Sequence, residues 1–166
     1  MSRTNMTTGN FSDPTPSSDE AVRQLNSLLR GEISAGETYR MAIDKVADSD
    51  QIAMDNVSIL REIQSEHDQA AQELRQRITA LGGSPSDSSG AWGAWAQTVQ
   101  GTMNLFGDTS ALKSLKEGEE HGLKDYEEAL DDVDTGTRQL IAAQLIPRQQ
   151  RHLSLIDQLM NVTGRS

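Results

Sequence analysis

Two stretches decide the fold: LNSLLRGEISAGETYRMAIDKV at residues 25–46 and LKSLKEGEEHGLKDYEEALDDV at residues 112–133. Set against each other they share nine identities in 22 positions, at Leu25/Leu112, Ser27/Ser114, Leu28/Leu115, Gly31/Gly118, Glu32/Glu119, Tyr39/Tyr126, Ala42/Ala129, Asp44/Asp131 and Val46/Val133. Ordinary composition would produce about one or two. In each copy the apolar residues recur at intervals of three and four, the mark of a helix with one buried face. The chain reads as two copies of one helical hairpin.

Working outward, the first helix runs from about Asp19 to Ala47, with Asp19 or Ser18 as N-cap. After a short polar turn at Asp48–Asp50, Ile52, Leu60, Ile63, Ala70, Ala71, Leu74, Ile78 and Leu81 mark a second helix. It stops at Gly82-Gly83, with Pro85 beyond. A third helix spans about Thr109 to Val133, and a fourth about Thr135 to Val162, where Pro147 predicts a kink. The second and fourth helices align more weakly, through Leu60/Leu145, Gln64/Gln149, His67/His152 and Leu74/Leu159.

The first and last connections are short, so each pair forms an antiparallel hairpin, whereas the middle one, Gly82 to Asp108, is long. This predicts an all-α four-helix bundle with one long crossover between helices two and three. Trp92, Trp95, Val99, Met103 and Phe106 place a short amphipathic helix in that crossover, either capping the bundle or anchoring a homodimer or small homo-oligomer. Residues 1–18, rich in Ser, Thr, Pro and Asp, read as a disordered tail, residues 19–162 as the bundle and residues 163–166 as a short tail.

The 166 residues carry 15 Lys and Arg against 25 Asp and Glu, a formal charge of -10. Such a charge repels phosphate backbones and anionic lipid, so neither nucleic acid nor membrane is an expected partner. No run approaches the roughly 20 apolar residues that cross a bilayer, and no secretory leader is evident. The expectation is a soluble, cytoplasmic protein of bacterial type. With no cysteine, disulfides and thiolate ligands are excluded, and any metal must be held by imidazole or oxygen.

Helical periodicity puts four polar residues on the core face: Glu32 among Leu28, Leu29, Ala35 and Tyr39; Glu119 among Leu115, Leu123 and Tyr126; His67 between Ile63 and Ala70; and His152 between Leu145 and Leu155. Glu32 and His67 lie about equally far from the first hairpin turn, near 26 Å at about 1.5 Å per residue. Glu119 and His152 stand in the same relation to the second turn. All four should occupy one layer. Burying a lone carboxylate costs several kcal/mol unless it is paired or shared by a cation, so two solutions are open. One is a single divalent ion, zinc, ferrous iron or manganese, held by Glu32, His67, Glu119 and His152. The other is a metal-free network in which the glutamates bond the histidines, Tyr39 and Tyr126.

A Glu followed seven residues later by a Tyr on the first and third helices resembles the ferritin, bacterioferritin and rubrerythrin superfamily. The likeness covers about residues 20–162 and implies a ferritin-like bundle with one Glu from each of those helices. That superfamily supplies Glu-x-x-His from helices two and four; here the tetrapeptides are Gln64-Ser-Glu-His67 and Gln149-Gln-Arg-His152. Both histidines match and both bridging glutamates are glutamine, so one ion is favoured over a di-iron centre. Glu66 could swing in and partly restore a second position. More narrowly, GETYRMAID and GEEHGLKDYEEAL look like an uncharacterised bacterial ferritin-like family of unknown function. The functions implied are oxidative or metal-stress chemistry, or a structural, stress-associated protein with a vestigial site that self-associates through the crossover. No catalytic residue is assigned.

Other features read as structural. His121 lies two positions from Glu119 and should face solvent. Glu120, Glu127, Glu128, Asp131 and Asp132 form a solvated acidic face, and Glu37 is more exposed than Glu32. Gly31 and Gly118, each preceding a core glutamate, predict close helix packing beside the site.

Overall fold

A computed structural model describes residues 17–47, 54–90 and 110–164. The first 16 residues, residues 48–53 with the turn expected at Asp48–Asp50, the crossover helix expected around Trp92 to Phe106 and the last two residues lie outside the described residues. Helix α1 spans Ser18–Ala47, α2 Met54–Ala80 and α3 Ser110–Ala129. The fourth rod is composite: α4 (Thr135–Leu140), a π-helical turn (Ile141–Leu145) and α5 (Ile146–Thr163). No strand occurs among the described residues.

Several boundaries have a local cause. Ser17, rather than Ser18 or Asp19, caps α1: its hydroxyl accepts from the Glu20 amide at 3.3 Å, and Asp19 and Glu20 then lie in the first turn, where the helix dipole favours acids. Helix α2 ends as its glycines predict. Gly82 takes φ +79°, and the Gly83 amide reaches back to the Ile78 carbonyl at 2.9 Å, closing a Schellman turn. Gly83 is also a close approach, since a Cβ there would stand 2.6 Å from Val22 Cγ1. Helix α3 stops at Ala129, short of the expected Val133. Asp134 caps α4 by accepting from the Gly136 and Thr137 amides at 2.9 and 3.2 Å, and Arg77 at the end of α2 pairs with the same carboxylate. Pro147 is absorbed by a change of helix type. The Ile146 amide bonds the Ile141 carbonyl, and the proline then sits in the first turn of α5, where its missing N–H is not needed.

The buried side chains form two apolar clusters. One joins Tyr39, Ala42 and Ile43 of α1 with Val57, Leu60 and Ile63 of α2, Ala111, Leu112 and Leu115 of α3, and Ile156 and Leu159 of α5. The other joins Leu25, Leu28 and Leu29 with Ala70, Ala71, Leu74 and Ile78, then Tyr126, Ala129 and Val133, and Ile141 and Leu145. The end of α2 and the start of α3 therefore lie at opposite ends of the bundle. The two helices run parallel. The described residues after α2 lie on α1. Asn26 Nδ2 donates to the Ser84 carbonyl at 3.0 Å, the Ser86 amide donates to Asn26 Oδ1 at 2.7 Å, and Ser89 Oγ donates to Glu37 Oε2 at 2.9 Å. No described helix is long and apolar enough to cross a membrane.

Candidate metal centre

Between the apolar clusters lies a layer of polar groups. Glu32, His67, Glu119 and His152, one from each rod, are all buried. His67 Nδ1 lies 2.8 Å from Glu32 Oε2 and its Nε2 3.0 Å from Glu119 Oε1. His152 Nδ1 lies 3.2 Å from Glu119 Oε2 and its Nε2 2.9 Å from Glu66 Oε2. The imidazole centroids are 4.7 Å apart, and the Tyr39 ring stacks on His67 at 5.4 Å.

The seven-residue spacing acts across the bundle. Because α1 and α3 are antiparallel, the residue two turns after each glutamate lies beside the other glutamate. Tyr39 donates to Glu119 Oε1 at 2.6 Å and Tyr126 to Glu32 Oε1 at 2.5 Å. Burial, with the carboxylate each hydroxyl faces, raises both phenols well above their ordinary range, so they stay donors. Burial disfavours charge on His67, but Glu119 and Glu32 outweigh it and push the group up to about 10. His67 is therefore an imidazolium at neutral pH, donating from both nitrogens. Burial likewise opposes the Glu119 charge, yet His67 and His152 hold its carboxyl well below the usual range.

Of the positions matched to the missing bridging glutamates, Gln149 is in the layer and Gln64 is not. Gln149 Nε2 donates to the Glu119 carbonyl at 3.0 Å and to Glu119 Oε2 at 2.5 Å. Gln64 Nε2 turns outward to Asp68 Oδ2 at 2.7 Å. Glu66 already touches His152 and is held there by Arg151, which also pairs with Glu62. The Arg151 latch was not legible in the sequence; the i,i+4 pair Glu62/Glu66 was its one available signal. His121 is exposed, as expected, and faces Asp125 at 3.5 Å. The expectation for Gly31 is corrected: a Cβ there would meet nothing within 4 Å. Rather than marking tight packing, Gly31 lines a cleft over the polar layer, which Gly118 also lines.

His67, Glu119 and His152 each offer one ligand atom, all within 4.8 Å of one another. Glu32 stands one step away, joined through His67. This set could hold a metal ion. A carboxylate-bridged pair of ions fits poorly, because Gln149 acts as a donor to Glu119 and Gln64 faces away. Among the described residues no buried side-chain nitrogen or oxygen lacks a partner.

A family model described as a domain of unknown function (DUF2383) matches residues 20–132. The match takes in α1, α2 and α3 and ends before the rod that carries Gln149 and His152. No curated protein and no solved structure matches the chain.

Proposed function

The chain belongs to the DUF2383 family, and we propose that it binds one divalent metal ion, iron, zinc or manganese, in the Glu/His layer of a ferritin-like bundle, in an oxidative or metal-stress role. The observation that carries this reading is the compact buried group of His67, Glu119 and His152, with Glu32 completing the layer. In the metal-free layer the positive charge between the carboxylates is the His67 imidazolium. A divalent cation would take over that charge and displace the proton. Bound there, it would supply Lewis acidity among buried ligands. The remaining residues orient the ligands: Tyr39 and Gln149 fix Glu119, Tyr126 fixes Glu32, and Glu66 fixes the ring of His152.

The test is elemental analysis of protein purified without a histidine tag, with melting curves in zinc, manganese and ferrous iron. Stoichiometric metal is expected, and stabilisation of about 2.7 kcal/mol at a hundredfold excess over the dissociation constant. Both should be lost in a Glu119→Gln, His152→Ala variant. Metal-free protein whose melting ignores all three ions would sink the proposal.

A second reading is favoured by the full hydrogen-bond pairing of the layer. On it, the network is a finished structural element, and the protein is a stress-associated scaffold that self-associates through its crossover. Replacing Trp92 and Trp95 by Ala should then change the sedimentation state, and an unchanged state would reject it.

A further inference from the structure

We infer that cations reach the Glu/His layer through the cleft between α1 and α3, and that Gly31 sets its width. This rests on the metal-binding reading above. The cleft is a cavity of about 80 Å³ whose floor is Glu32, His67 and Glu119 and whose walls include Gly31, Gly118 and Gly122. A water needs about 10–15 Å³ of such space, so a cation can enter with part of its hydration shell. At the rim stand His121 and Asp125, so carboxylates occur at both the mouth and the floor and favour positive ions.

Among the described residues, the two ends of the layer and two of its other sides are filled. Each end of the layer is covered by an apolar cluster. On the α2/α5 side, Arg151 spans Glu62 and Glu66, and Glu66 covers His152 Nε2. On the α3/α5 side, the Gln149 amide fills the space beside Gly122, 3.0 Å from where a Cβ would be. At Gly31, which lines the cleft, the backbone borders open space: an added Cβ would meet nothing within 4 Å, so a side chain there narrows the cleft without its first carbon displacing a neighbour.

The experiment is stopped-flow mixing of the full chain with Co²⁺ alone, following visible absorbance. It compares the native protein with Gly31→Ala, Gly31→Val and Gly31→Leu, and with Gln72→Leu at an exposed site on α2 as control. Uptake should slow in order of side-chain size, by at least tenfold for Gly31→Leu, with end-point stoichiometry unchanged and the control at the native rate. Gly31→Ala keeps the test alive if the larger variants fold poorly, because its methyl meets no neighbour and a better helix former should raise the melting temperature. Stoichiometric uptake at the native rate in every folded Gly31 variant overturns the route and leaves the metal site standing. A native chain that takes up no Co²⁺ overturns both.

Discussion

Glu32 and Glu119 occupy matching positions in the two halves of the bundle, yet among the described residues Glu32 accepts from two side chains and Glu119 from four. Glu32 bonds His67 and Tyr126; Glu119 bonds Tyr39, His67, His152 and Gln149. One of the two additional partners, Gln149, is explained by neighbouring residues. Gln64 has Asp68 four residues on, an acceptor that draws its amide to the surface. Gln149 has Leu153 there and turns inward. Gly122 leaves room for that amide, whereas the matching position on α1, Ala35, carries a methyl. The two similar hairpins differ at their polar layer in step with the residues just outside it.

The largest expected effect tests the unequal load on the two glutamates. Glu119→Ala strands several buried donors and the His67 charge, and should cost about 3–5 kcal/mol in urea unfolding. Glu32→Ala removes fewer bonds and should cost about 1.5–3 kcal/mol. Equal losses would show that the count of partners does not govern the layer.

The next effect is on pH. His67 has an ordinary value of 6.5 and stands at about 10 in the fold, so its stabilising charge is fully present below about 6.5 and is lost as pH rises through about 10. Glu119 works in the opposite sense. Its folded value lies below the ordinary 4.5, so its contribution is present above that and is lost as pH falls. In chelator, the melting temperature should peak between these limits, and His67→Gln should flatten the alkaline limb. An alkaline limb of unchanged size in that variant would refute the assignment.

A smaller effect separates the glutamines. Gln149→Ala should cost about 1–2 kcal/mol, because a buried donor to Glu119 is lost, and Gln64→Ala should stay within about 0.5 kcal/mol. The smallest is a change of geometry. Combining Ala35→Gly with Asp68→Leu gives the first half the neighbours of the second, and a crystal structure should show the Gln64 amide turned toward Glu32, at about 1 kcal/mol for the added glycine. An amide still facing solvent would mean that these neighbours do not set the asymmetry.

The helices and their polar layer were legible in the sequence because the repeated register puts Glu, Tyr and His on the face that also carries Leu and Ile, and a buried face is a property of period alone. The N-cap was misplaced by one residue because Ser17, Ser18 and Asp19 can all cap, and only backbone geometry selects Ser17. The treatment of Pro147 was half legible. A proline inside a helix announces a defect, but whether it appears as a kink or as a π turn depends on the packing of Ile141 and Leu145 against the other rods.

The sequence by itself determined the all-helical architecture, the pairing of hairpins and the choice of four core-facing ligand candidates, since each follows from spacing along one helix. The tertiary structure decided which of those candidates meet. That Glu119 is the hub and Glu32 its lesser twin, that Arg151 holds Glu66 on His152, and that Gly31 opens a cleft all depend on distances between helices. Residues 30 to 94 positions apart in the chain set those distances, and no periodicity along a single helix can encode them.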